Sequence, residues 1–330
     1  MRTISAKVAK HMENLSTKDG IISALAIDQR GSLKTMLADA ANKPADETTI
    51  VDFKKAVSSE LTPYASSILT DPEYGLPATK VRDKNCGLLL SYEKTGYDVT
   101  EPGRMPDLIA DQSGLRIKNE DGDAIKFLVY YDPDEDQAIN DKKQAFVERV
   151  GAEAKANDLP LFLEVLTYDA QIADAKSEEF AKVKANKVLQ TMKEFSQPQY
   201  GVTVLKVEVP FNLSYVEGFN GTNNVVYTQA EAKELLKKQS AATDLPYIFL
   251  SAGVTSAEFI AEIKLAEEVG ADFNGVLCGR ATWKPAIKPF AAESEAAGRK
   301  WLATQGKENI ENLNAALKGA KSWREKLKVQ

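Results

Sequence analysis

Histidine is almost missing from this chain: His11 is the only one in 330 residues, and cysteine occurs twice, as Cys86 and Cys278. A zinc centre draws on several histidines or clustered cysteines, and a Ser/His/Asp mechanism needs a histidine beside its nucleophile. Neither can be assembled here. Magnesium held by carboxylates stays open in principle, but no paired acidic motif stands out, so no metal and no cofactor are expected. Two cysteines, each inside an apolar strand-like stretch, are too few for a disulfide framework and read as buried thiols in a reducing compartment. No stretch approaches the roughly 18 apolar residues of a membrane span. The N-terminal MRTISAKVAKHMENL mixes charge with apolar residues instead of presenting an uninterrupted apolar segment. A soluble, cytoplasmic protein without a membrane partner is expected. Long runs of one charge are lacking as well. With 42 basic and 48 acidic residues the net charge is -6, and nucleic acid is not an expected partner.

What is present is a rhythm. Eight short apolar runs recur: IISALAID from Ile21, SSILTD from Ser66, GLLLSYEK from Gly87, AIKFLVYYD from Ala124, LFLEVLTYD from Leu161, VTVLKVEVP from Val202, YIFLSAG from Tyr247 and GVLCGR from Gly275. Helical patterns fill most of the gaps. Ile50, Phe53, Val57 and Leu61 make one stripe, Ile139, Phe146 and Val150 a second, and Val188, Met192 and Phe195 a third. Thr255 and Glu258 form a capping box ahead of Phe259 and Ile263. The second and third runs start only 21 residues apart, leaving space for a short irregular helix. Eight strands, each followed by a crossover, have the rhythm of a (β/α)8 barrel. An open doubly wound sheet competes, but its dinucleotide form needs a glycine-rich turn after the first strand, and that turn reads DQRGSL. With no linker or composition break, residues 1–330 are expected to form one α/β TIM-barrel domain with extra helices at both ends. At the N-terminus, Ile4, Val8, Met12 and Leu15 fall at helical spacing and predict an amphipathic helix, with His11 as a packed or rim residue.

Charges interrupt four of the runs. In VLKVEVP, side chains alternate across the strand, so Val204, Lys206 and Glu208 share one face while Thr203, Leu205, Val207 and Val209 share the other. In a barrel the second set faces the helices and the first faces the interior near the C-terminal mouth, where barrel enzymes keep their chemistry. Lys126 breaks the fourth run, Glu164 the fifth, and Asp28 closes the first. Runs four, five and six are neighbours around a barrel, so Lys126, Glu164 and Lys206 should converge. Two lysines and a carboxylate in a confined site can lower an amine's pKa until it attacks a carbonyl, and the carboxylate can then move protons. The competing reading is structural, with Lys206 paired to Glu208 and Lys126 to Glu164. The seventh and eighth runs end in Ser251-Ala252-Gly253 and Cys278-Gly279-Arg280. Turns after these two barrel strands commonly hold a phosphate through backbone N–H groups and a nearby cation.

The blocks ISALAIDQRG, ELTPYASSILTDPEYG, LLLSYEKTGYD, VLKVEVP, YVEGF, YIFLSAGV and GVLCGRATW closely resemble class I, lysine-dependent tagatose-1,6-bisphosphate aldolases. The likeness runs from about Gly20 to Trp283 and continues weakly to the C-terminus, with departures mainly in QSGLRIKNED and GFNGTNNV. The resemblance implies cleavage of D-tagatose 1,6-bisphosphate into dihydroxyacetone phosphate and D-glyceraldehyde 3-phosphate, within lactose and galactose use. It implies Lys206 as the Schiff-base residue and Glu164 as the acid/base. Substrate contacts would come from Asp28, Gln29, Lys126 and Ser251, with Gly253, Gly279 and Arg280 around the phosphate. The implied partner is a phosphorylated ketose; a homo-oligomer is left open. Two other readings stand beside it: a related lysine aldolase for fructose bisphosphate or a sulfosugar phosphate, and a sugar-phosphate-sensing regulatory protein.

Overall fold

All eight apolar runs form strands in the computed structural model, which describes residues 2–97 and 100–330. Met1, at the head of the N-terminal stretch, and Asp98, the last residue of LLLSYEKTGYD, lie outside the described residues. In chain order the strands are β1 (Arg2–Ile4), β2 (Ile22–Ala26), β3 (Ser67–Thr70), β4 (Gly87–Ser91), β5 (Ala124–Tyr131), β6 (Leu161–Thr167), β7 (Val204–Val207), β8 (Tyr247–Leu250), β9 (Gly275–Cys278) and β10 (Leu327–Val329). Strands β2 to β9 pair in sequence order, and β9 returns to β2, closing a parallel barrel. Helices fill the crossovers, including Glu47–Leu61, Gln137–Ala156, Glu178–Phe195 and Ser256–Glu268. The crossover from β3 to β4 has space only for Leu76–Thr79.

Period-2 alternation divides the strands between two cores. Leu25, Ile68, Leu88, Leu205, Val207 and Phe249 point outward and pack in one cluster with Phe53, Val57, Val188 and Met192 from the helices. Each such fully buried side chain contributes about 1.5–3 kcal/mol relative to exposure. Ile22, Ala24, Leu69, Leu89, Phe162, Val204, Ile248 and Leu277 fill the barrel with a second apolar cluster. The capping box expected at Thr255 and Glu258 is formed in both directions and starts the helix after β8.

The N-terminal stretch corrects the helical spacing read from Ile4. The helix begins only at Ala6, because Ser5 is extended and its hydroxyl accepts a hydrogen bond from the Val8 N–H at 3.2 Å. Arg2–Ile4 instead pairs in parallel with Leu327–Val329, joining the two ends of the chain. Met12 and Leu15, fully buried, join the barrel-filling cluster with Trp323. The Leu15 carbonyl accepts from Ser66 and Ser67 where β3 starts, so this helix abuts the barrel end opposite the mouth. His11 bonds Asp123 through Nδ1 at 3.0 Å, a rim contact remote from the mouth residues described below. Cys86 and Cys278 are free and buried, and burial pushes their thiols up to about 12 and about 11 respectively.

Candidate active site

At the mouth, the register of the strands brings the expected charges together. Glu164 on β6 stands directly beside Lys206 on β7, and Leu128 on β5 is the partner of Glu164 on its other side. Lys126 lies one inward-facing position deeper on β5, and its four-carbon stem closes the difference. The Glu164 carboxylate, through one oxygen, is 2.8 Å from Lys126 Nζ and 2.8 Å from Lys206 Nζ. Asp28, just past β2, is 3.1 Å from Lys126. Glu93, just past β4, bonds the same ammonium through its side chain. Lys126 is thus enclosed by three carboxylates, while Lys206 meets one.

Burial makes these pairings matter, since a charge taken from water must be compensated. Lys126 and Lys206 are 1 % and 4 % exposed. Burial alone would lower the Lys126 ammonium, but Glu164, Glu93 and Asp28 together hold it well above the ordinary lysine range. Burial also works to raise Glu164 and Asp28; the charges of Lys126 and Lys206 outweigh it and hold both below ordinary carboxylate values. Glu93 shows the opposite balance, with burial prevailing and its carboxyl raised. Glu164 is therefore an ionised carboxylate shared between two amines.

Lys206 and Glu208 do not pair. Glu208 is 3.3 Å from Lys184, which reaches in from the helix Glu178–Phe195, and it accepts from the Thr167 N–H and hydroxyl at 2.9 and 2.8 Å. The structural alternative for VLKVEVP is replaced by a lysine that turns to the neighbouring strand's carboxylate.

A cleft of about 240 Å³ opens above this centre. Glu164, Lys206 and Gln29 line it together with Ser251, Gly253, Gly279 and Arg280, so the two glycine turns and the charged centre share one space. Asp28 and Lys126 are not among its lining residues; Lys126 connects to the cleft through Glu164, with which it pairs at 2.8 Å, and Asp28 through Lys126. Gly253 has φ +83 and follows Ala252 at φ +48, a left-handed turn that glycine accepts without strain. A side chain at Gly253 would start 3.1 Å from Arg280 Nη2, so its absence lets the guanidinium lie against the turn. At Gly279 a Cβ would be 3.1 Å from the Ala26 carbonyl, which ties the end of β9 to the end of β2.

Two supports lie outside the sequence reading. Lys54, fully buried on the helix Glu47–Leu61, donates to the Ile27 carbonyl and, at 2.8 Å, to the Gln29 carbonyl, and pairs with buried Asp71. It clamps the backbone on both sides of Asp28. Arg30 donates to the Glu93 carbonyl at 2.7 Å and so ties the β2 and β4 loop ends together.

The profile of the DeoC/LacD family aldolases matches residues 22–285, from the first residue of β2 to beyond the Arg280 turn. The chain belongs to the DeoC/LacD aldolase family. It is accordingly an enzyme, a lyase of the aldolase type. This aldolase is 58 % identical over 330 residues to the tagatose 1,6-diphosphate aldolase 2 of Enterococcus faecalis, covering 100 % of this chain and 99 % of the relative. It is 53 % identical to the tagatose 1,6-diphosphate aldolase 1 of Streptococcus mutans, covering 98 % and 100 %. The tagatose 1,6-diphosphate aldolase of Staphylococcus haemolyticus is 54 % identical with the same coverage. Among solved structures, the fructose-bisphosphate aldolase of Plasmodium falciparum, determined in complex with TRAP and a small-molecule inhibitor, superposes with a TM-score of 0.71 over 97 % of each chain at 16 % identity. That likeness is one of fold, the closed barrel. No helix among the described residues of the aldolase is long and apolar enough to cross a membrane.

Proposed function

We propose that this aldolase cleaves D-tagatose 1,6-bisphosphate into dihydroxyacetone phosphate and D-glyceraldehyde 3-phosphate through a Schiff base on Lys206, as one barrel domain serving the tagatose-6-phosphate branch of lactose and galactose use in the cytoplasm. The observation that carries the reading is the single Glu164 oxygen 2.8 Å from both Lys206 and Lys126 at the floor of a cleft whose wall holds Arg280. The names of the relatives at 53–58 % identity support the substrate.

Glu164 takes a proton from Lys206, and the free amine adds to the C2 ketone of the open-chain sugar. Loss of water leaves a protonated imine, an electron sink two bonds from the bond to be broken. Glu164, directly or through water, removes the C4 hydroxyl proton; the C3–C4 pair of electrons moves into the imine and the aldehyde leaves. The resulting enamine is reprotonated at C3, and hydrolysis frees dihydroxyacetone phosphate and the amine. Lys126 keeps Glu164 ionised between proton transfers, and its bond to Asp28 at 3.1 Å steadies that pair from deeper in the barrel. Ser251, Gly253, Gly279 and Arg280 hold the phosphate next to the ketone, fixing C2 above Lys206.

The direct test is Lys206→Ala assayed for triose phosphate release with EDTA present. Turnover should vanish while circular dichroism stays that of the parent; wild-type-like rates in the variant would remove Lys206 from the mechanism.

A further inference from the structure

We propose that Arg104 binds the second phosphate, the one on the aldehyde half of the substrate. The inference rests on the aldolase reading above and adds to it the subsite that the Arg280 turn leaves unassigned. Arg104 follows Gly103 in the stretch between β4 and the helix Gly114–Asn119, and both residues are left-handed, at φ +87 for Gly103 and φ +51 for Arg104. A non-glycine residue in that region persists only where its surroundings hold it. Here three aromatic rings do so. The Arg104 guanidinium carbon is 4.3 Å from the centroid of Tyr168, 5.3 Å from Tyr97 and 5.8 Å from Tyr130. The Tyr168 hydroxyl, 2.9 Å from the Glu135 carboxylate, is also 3.1 Å from the Gly103 carbonyl, so ring and loop lie against each other.

Cation–π contact with ring faces does not consume the N–H donors of a guanidinium. No carboxylate forms an ion pair with Arg104 among the described residues, and Arg104 lines the same cleft as Glu164 and Lys206. The cations lining that cleft are Arg104, Lys206 and Arg280. Lys206 becomes the imine, and Arg280 shares its wall with Ser251 and Gly253. A bisphosphate brings a second dianion, and Arg104 is the remaining lining cation with which to meet it. Position along β5 agrees. Tyr130 is on the same face as Lys126, four residues on, and so stands roughly 13 Å further toward the mouth. Glu164 and Arg104 both act on the Tyr130 hydroxyl, on which burial has the largest effect. Since Glu164 takes the C4 proton, the aldehyde half lies on the side from which Tyr130 leads to Arg104. A rigid planar fork, already held by its aromatic contacts, suits two phosphate oxygens at once.

The test is aldol synthesis from dihydroxyacetone phosphate with either D-glyceraldehyde 3-phosphate or unphosphorylated D-glyceraldehyde as the acceptor. In Arg104→Gln the ratio of kcat/KM for the phosphorylated over the unphosphorylated aldehyde should fall about 10- to 100-fold, the loss expected for a charge-assisted contact. Arg104→Lys keeps the charge without the fork and should give an intermediate ratio, which also guards against a folding defect in the first variant. A ratio unchanged within about twofold in both variants, whether or not both rates drop together, overturns the proposal. Borohydride trapping of wild-type protein with dihydroxyacetone phosphate, run alongside, separates the two readings. Failure to trap Lys206 counts against the Schiff base, while the ratio reports on Arg104 alone.

Discussion

Replacing Lys126 with methionine tests whether charge balance holds the buried Asp28, Glu93 and Glu164 carboxylates together. Lys126 is 3.1 Å from Asp28 and 2.8 Å from Glu164 and also bonds Glu93, with its side chain 1 % exposed. Methionine nearly conserves the volume, so the cost is electrostatic: removing one partner of a buried pair costs about 3–5 kcal/mol. The pH dependence follows from the directions of the carboxylates. In the parent protein Asp28 and Glu164 are held below their ordinary values against the pull of burial. Their contribution to stability is present above the unfolded pKa and is lost as the pH falls through the lowered folded values. Without Lys126, burial is opposed mainly by Lys206, and the carboxyls move upward. The folded variant then takes up protons that the unfolded chain does not, and it regains stability relative to the parent as the pH falls from neutral toward 5. Urea unfolding followed by circular dichroism near pH 7 and near pH 5 measures this. The deficit should be about 3–5 kcal/mol at the higher pH and smaller by at least about 1.4 kcal/mol, the equivalent of one pKa unit, at the lower. A deficit equal at both pH values, or one below about 1 kcal/mol at neutral pH, refutes the reasoning.

Lys54→Met leaves Asp71 buried without its cation and two carbonyls without a donor; unfolding should show a loss of about 3–5 kcal/mol, and the affinity for sugar phosphate should fall because the Asp28 loop loosens. Gly253→Ala places a Cβ 3.1 Å from Arg280 Nη2 at φ +83; it should cost about 1–2 kcal/mol of stability and raise the KM for the bisphosphate more than it lowers kcat, in steady-state assays. Glu262, buried on the helix after β8, is pushed up by burial to about 8. Because this folded pKa lies above the unfolded one, the group costs stability increasingly as pH rises between about 4.5 and 8. Glu262→Gln should therefore stabilise the protein by about 1–3 kcal/mol near pH 8 and by little near pH 5, as read from denaturant midpoints; an equal gain at both would count against burial as the cause.

The barrel and its charged centre were legible because both obey period 2. Lys126, Glu164 and Lys206 each interrupt an apolar strand on its inward face, and a closed sheet makes those faces adjacent. Glu93 and Arg104 escaped notice because they lie past the end of β4, where no periodicity says which way a side chain points. Lys54 sits one residue after Phe53 of the apolar stripe Ile50, Phe53, Val57 and Leu61, where a lysine reads as solvated, yet it turns inward to Asp71. Lys184 likewise belongs to a helix, and nothing in VLKVEVP signals that Glu208 will choose it over Lys206. The pairing of Arg2–Ile4 with Leu327–Val329 joins chain ends that no local pattern connects, so a helical spacing that began at Ile4 ran past the Ser5 cap.

Borohydride reduction in the presence of dihydroxyacetone phosphate, with EDTA added and peptides mapped by mass spectrometry, bears most directly on the chemistry of the Lys206–Glu164 pair. One stable adduct on the peptide carrying Lys206 is the expected result. An adduct on another lysine, or EDTA-sensitive turnover with no adduct at all, would contradict it.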